Sequence, residues 1–71
     1  MKLPRDISGT QAVKALQRLG FSITRQVGSH VRMAKAEKRT TVPMYRFIVP
    51  GTLQNILRQA GVSVEEFMDV L

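Results

Sequence analysis

The apolar residues of this chain change period twice, and that switch decides what it can fold into. Ala12, Val13, Leu16 and Leu19 recur at helical intervals behind Ser8 and Gln11, whose spacing is that of a capping box, and Gly20 supplies a stop. From there the pattern alternates. Phe21 to Gln26, Val31 to Lys35 and Thr40 to Met44 are three β-prone runs, with Pro43 near the end of the third. The helical period returns after Pro50-Gly51-Thr52 with Leu53, Ile56, Leu57 and Ala60, and closes at Gly61. Ser63 and Glu66 repeat the capping-box spacing and open a short terminal helix through Val64, Phe67, Met68 and Leu71. The order α-β-β-β-α, plus a short C-terminal helix, predicts an α+β fold: a three-stranded antiparallel sheet with helices on one face. No repeat, low-complexity segment or linker interrupts it, so residues 1–71 read as one domain. A chain of 71 residues has room for one modest core, since at this size only about 60% of the unfolded surface is buried.

Strand parity says which side chains the open face of the sheet carries. Phe21 and Ile23 should point toward the helices, as should Val31 and Met33, which leaves Ser22, Thr24, Gln26, His30, Arg32 and Ala34 outward. A two-residue Gly28-Ser29 turn would pair Val27 with His30 and Arg25 with Arg32, setting the polar half of one strand beside the apolar half of the other. A one-residue slip of register exchanges the faces. We therefore expect a turn with an odd number of loop residues, such as Val27-Gly28-Ser29, placing Gln26 opposite His30, Thr24 opposite Arg32 and Ile23 opposite Met33.

Charge narrows the partners. Eleven Lys and Arg against 5 acidic residues give a formal net charge of +6, an excess that attracts polyanions, nucleic acid above all. Arg25, Arg32, Lys35, Lys38 and Arg39 fall in the middle third, whereas Glu65, Glu66 and Asp69 cluster near the end, so a basic face should be distinct from an acidic one. The absence of cysteine excludes disulfides and thiolate chemistry. The opening Met1-Lys2-Leu3-Pro4-Arg5-Asp6 lacks the apolar stretch of a signal peptide, and no apolar run approaches the roughly 20 residues that span a bilayer. A cytoplasmic protein without a membrane partner is the expectation.

His30 is the only histidine, just after the Gly28-Ser29 turn and on the open face by parity. Histidine is the side chain that takes up and releases a proton near neutral pH. RNA carries its own nucleophile, the 2′-hydroxyl, so its cleavage needs a base for that proton, in-line geometry and cations on the phosphate where charge develops. Arg32, two residues further along the strand and roughly 7 Å away on the same face, can grip a phosphate. A metal site is not expected, because a lone histidine without cysteines or a nearby carboxylate pair cannot supply three or four ligands. The general acid stays open between Tyr45, a lysine and water. The apolar stretch formed by Tyr45, Phe47, Ile48 and Val49 either packs on the core or forms an exposed patch that invites a partner.

An ordered set of short elements carries a family resemblance over nearly the whole chain: Ser8-Gly9, Leu19-Gly20-Phe21, Gly28-Ser29-His30, Thr41-Val42-Pro43, Gly51-Thr52-Leu53, Ile56-Leu57 and Gln59-Ala60-Gly61, ending in Glu65-Glu66-Phe67. At these spacings it resembles the HicA family of bacterial and archaeal toxins. The resemblance implies a double-stranded-RNA-binding-domain-like fold, cleavage of mRNA and inhibition by a HicB-like antitoxin; the chemistry set out above needs neither a metal nor a small-molecule cofactor for that cleavage. It also implies that His30 is the catalytic residue; by position Gly28, Ser29 and Tyr45 are candidates to assist it, and by charge Arg25, Arg32, Lys35, Lys38 and Arg39 are candidates to hold RNA, with the antitoxin an alternative contact for Lys35, Lys38 and Arg39. Members similar to this chain often carry a second histidine two positions after the proline of the third-strand motif. Here that place is held by Tyr45, whose phenol donates a hydrogen bond but is a poor base at neutral pH. A non-catalytic module that reads the shape of double-stranded RNA is the alternative with the same charge and fold; in such a module His30 would be redundant.

Overall fold

A computed structural model describes residues 3–71; the first two residues of the opening read above for a leader lie outside them. The elements follow the expected order: α1 (Gly9–Arg18), β1 (Ser22–Val27), β2 (His30–Lys35), β3 (Lys38–Pro43), α2 (Pro50–Ala60) and α3 (Val64–Val70). The three strands form one antiparallel sheet in the order β1-β2-β3, an α+β arrangement compatible with a double-stranded-RNA-binding-domain-like fold.

Both capping boxes form. The Ser8 hydroxyl accepts from the Gln11 N–H at 3.1 Å while Gln11 Oε1 accepts from the Ser8 N–H at 2.9 Å. The reciprocal bonds between Ser63 and Glu66 are both 3.0 Å. The Ser63 backbone N–H holds the Glu66 carboxyl below the usual carboxylate range. Leu16, Phe21, Val31, Met33, Val42, Leu53, Leu57 and Phe67 then meet in a single core between the helices and one face of the sheet. Thr40 is the one buried polar side chain among the described residues, and its hydroxyl donates to the Ile56 carbonyl at 2.9 Å. That bond ties α2 alongside β3, and a buried hydroxyl left unpaired would cost about 1–3 kcal/mol.

The β1–β2 turn corrects the expected register. Val27 pairs with His30, Gln26 with Val31 and Arg25 with Arg32, so the turn is the two-residue Gly28-Ser29 connection, with Gly28 at φ +59°. A positive φ at the first central residue suits a type II′ hairpin turn and favours glycine there. Beyond Arg25 the register shifts, and Ile23 faces Met33 as expected. The parity conflict is real, but it is resolved inside the strand: Thr24 has no pairing partner and forms a bulge, an extra residue that returns the remaining side chains to their proper faces. The bulge also ends the regular alternation of β1, an edge strand whose six residues are all exposed. Ile23 lies on the helix side by register, yet the helices leave 47% of it accessible.

The segment between β3 and α2 splits between the two readings open to it. Ile48 is fully buried and its N–H donates to the Ile7 carbonyl at 2.7 Å, whereas Tyr45, Phe47 and Val49 are exposed. The same segment is pinned at two more points: Met44 N–H donates to the Ser29 carbonyl at 2.6 Å and Gly9 N–H donates to the Tyr45 carbonyl at 2.9 Å. The second contact needs glycine, because a Cβ on Gly9 would stand 2.6 Å from Met44 Cα. Gly51, in the first turn of α2, has open space where its Cβ would be. Gly9→Ala is therefore expected to destabilise the fold by about 1–3 kcal/mol through overpacking, and Gly51→Ala to stabilise it by up to about 1 kcal/mol through helix propensity. Urea denaturation of the two variants checks the opposite signs.

Candidate functional site on the open sheet face

His30 opens β2, and the turn before it and the segment after β3 both converge on it. The Ser29 carbonyl holds Met44, and one residue further on the Tyr45 ring stands edge-on to the imidazole, with ring centroids 6.1 Å apart and planes at 76°. Gly28 contributes the turn geometry and a carbonyl that accepts from the Gln26 amide at 3.3 Å. The cross-strand neighbours of His30 are Val27 on one side and Pro43 on the other. Sequence parity had placed Gln26 there and surrounded His30 with polar groups; the two-residue turn gives the imidazole apolar shoulders instead.

The cations lie one step further along the strands. Arg25 stands directly opposite Arg32, which faces Thr41 across β3, and Arg39 pairs with Ala34 on the same face. The bulge is fastened by the Thr24 hydroxyl, which donates to the Arg32 carbonyl at 3.2 Å. Together Arg25, Arg32, Arg39, Thr24, Thr41 and Gln59 border an open hollow of about 500 Å³ with no carboxylate in its lining. Two guanidinium groups facing one another without an acid between them are a destabilising pairing in a sheet. They also attract whatever anion can sit between them.

A second hollow of about 400 Å³ adjoins it, sharing Thr41 and Gln59 and bordered further by His30, Tyr45, Thr52 and Asn55. Thr52, Asn55 and Gln59 recur along α2 at helical spacing, and α2 lies beside β3, so they form a polar rail along the open face. The two hollows make one continuous groove, lined by guanidinium groups at one end and by His30, Tyr45 and neutral polar side chains at the other.

Two of the cations singled out from sequence point elsewhere. Lys35 and Lys38 pair with each other across the β2–β3 turn, on the parity of Met33 and Thr40, which faces the helices. Lys35 Nζ donates to the Leu19 carbonyl at 2.7 Å, at the end of α1, and the Lys38 side chain lies against Gly61 at the end of α2. Both meet the carbonyl-rich C-terminus of a helix, where a cation is favoured. Thr24, Thr41, Thr52, Asn55 and Gln59 were not singled out from sequence. The polar stripe Thr52, Asn55 and Gln59 beside the apolar face of α2, Leu53, Ile56, Leu57 and Ala60, was the available signal, while the part played by Thr24 needs the bulge to be visible.

The family described as HicA toxin of bacterial toxin-antitoxin matches residues 9–62, which run from the start of α1 to just past α2 and include the whole groove. No curated protein matches the chain.

The facing guanidinium groups carry a consequence for stability. Replacing Arg25 with threonine removes the like-charge pair and supplies a better strand former, so Arg25→Thr is expected to gain about 0.2–1 kcal/mol. The gain should shrink as salt screens the exposed charges. Urea midpoints at low and high ionic strength check both the sign and the salt dependence; a loss of stability at low salt would show that Arg25 is held by an attraction instead.

Proposed function

The chain belongs to the HicA toxin family, and from that premise we propose that it is an endoribonuclease that cleaves mRNA, with His30 as the proton acceptor and a HicB-like antitoxin as its silencing partner. One observation carries the reading: the only histidine of the chain stands in a groove that continues into an arginine-lined hollow with no carboxylate. A base beside an anion site is the minimum equipment for using the 2′-hydroxyl of RNA as nucleophile.

The reaction follows from those parts. The imidazole of His30 takes the proton of a 2′-hydroxyl as that oxygen bonds to the adjacent phosphorus. The bond from phosphorus to the 5′-oxygen breaks, and the departing oxygen takes a proton, leaving a 2′,3′-cyclic phosphate and a free 5′-hydroxyl. Tyr45, edge-on to the imidazole, is the protein hydroxyl best situated to donate to that leaving oxygen, since Lys35 is engaged at the Leu19 carbonyl. Arg32, Arg25 and Arg39 hold the neighbouring phosphates and stabilise the charge that develops. Lys35 and Lys38 act on RNA only through their longer-range field.

The same surface suits the antitoxin. Exposed Tyr45 borders the groove beside His30, and exposed Phe47 and Val49 follow it in the same segment, so a net-acidic partner with an apolar centre would cover His30 and meet the arginines at once.

Incubating the protein with end-labelled mRNA in excess chelator tests the reading. Fragments ending in 2′,3′-cyclic phosphate are expected, and intact RNA under conditions where the protein binds it would favour the non-catalytic module. Affinity for single-stranded RNA should fall with salt at a log-log slope of about −0.7 per phosphate neutralised, and Arg32→Ala should flatten that slope by about one contact. Weaker binding with an unchanged slope would remove Arg32 from the phosphate contacts.

A further inference from the structure

The groove separates charge in a way that matches the parts of one nucleotide. Its cationic end offers three guanidinium groups, and its other end offers flat, uncharged hydrogen-bonding chemistry beside His30. The second hollow, at about 400 Å³, lies within the usual size range of small-ligand sites. It contains an aromatic ring, Tyr45, that is 51% exposed yet fixed through its backbone to Gly9. It also contains two carboxamides on one face of α2, Asn55 and Gln59. Asn55 Oδ1 accepts from Arg58 Nη2, so that amide is oriented. Gln59 lies within 3.5 Å of the Thr40 hydroxyl, which is itself anchored on the Ile56 carbonyl. An oriented carboxamide beside an aromatic face is the chemistry that reads the edge of an unstacked base.

We propose that the hollow between His30 and α2 is a nucleobase pocket, in which the base flanking the cleaved phosphate lies against Tyr45 with its edge read by Gln59 and Asn55. This rests on the nuclease reading above and adds to it the position and the residues that set sequence preference. An unpaired base reaches this pocket, so cleavage falls in single-stranded segments. A carboxamide offers both a donor and an acceptor, whereas a carboxylate only accepts. Gln59→Glu therefore turns the pocket toward the bases that carry an exocyclic amine, adenine, cytosine and guanine, and away from uracil. Gln59→Ala removes the reading without disturbing the Thr40 to Ile56 bond.

Two readouts test the pocket. In the first, a random-sequence RNA pool is cleaved and the fragment ends are sequenced, so that each enzyme's preference is scored among its own products. Wild type is expected to favour one class of base at a position flanking the cut by roughly two- to tenfold, the worth of one or two hydrogen bonds. Gln59→Ala should flatten that preference and Gln59→Glu should shift it away from uracil, toward the bases that carry an exocyclic amine. In the second, His30→Ala protein is titrated with short homopolymer RNAs, and Gln59→Ala on that background should bring the four affinities together. An unaltered preference and an unaltered affinity ranking in the Gln59 variants would overturn the pocket while leaving the nuclease standing. No cleavage by wild type, with affinities that still converge on Gln59→Ala, would overturn the nuclease reading and support the pocket.

Discussion

Everything at the site depends on one extra residue in an edge strand. The Gly28-Ser29 turn fixes the pairing of Val27 with His30, and without interruption that pairing would carry Ile23 to the wrong face of the sheet. The bulge at Thr24 absorbs the mismatch, so that Ile23 still meets Met33 while Arg25 faces Arg32. The strand keeps a tight turn, which presents His30, and a core-facing residue at its far end. The bulge also brings Thr24 and Arg25 together opposite a single residue of β2, which crowds polar and cationic groups onto the open face beside the histidine. Bulges commonly re-aim side chains next to functional sites, and here the side chain re-aimed is an arginine.

The second constraint is the position of α2. Thr40 ties it along β3, so its apolar residues complete the core while Thr52, Asn55 and Gln59 rise beside the sheet as the wall of a groove. The segment from Met44 to Ile48 closes the end of that groove, held by Ser29, Gly9 and Ile7. The basic residues are thereby divided by task. Lys35 and Lys38 stabilise the ends of two helices, and Arg25, Arg32 and Arg39 are left facing solvent without an acid in their hollow. A chain this small has little stability to spare, so a like-charge pair retained on its surface points to work outside the fold.

The element order was legible in the sequence because each boundary has its own chemistry: Ser8 and Ser63 with their capping partners, Pro50 at the start of α2, and Gly61 at its end. The core was legible because the periods of 3.6 and 2 assign Leu16, Met33 and Leu57 to one side. His30 and Arg32 could be placed on the open face by parity, whereas the same alternation puts Arg25 on the helix side and only the bulge turns it outward. Parity is blind to an irregularity within a strand, so it demands an odd turn length and the wrong neighbours for His30, where the chain instead keeps a two-residue turn and a bulge. Lys35 and Lys38 were grouped with the arginines by proximity in sequence; adjacency along a hairpin says nothing about which helix terminus lies within reach. The α2 rail escaped notice for a similar reason, since a polar stripe on a helix reads as solvent-facing until the helix is known to flank a sheet.

The central claim is that a single imidazole in this groove moves the proton that cleavage requires. Its most direct test compares wild type with His30→Ala and His30→Gln on end-labelled RNA, after urea denaturation has shown that all three are equally stable. Because the His30 side chain is exposed on the open face of the sheet, both variants should stay folded and keep binding RNA with the wild-type salt slope, while cleavage disappears. Cleavage at the wild-type rate by either variant would contradict the claim.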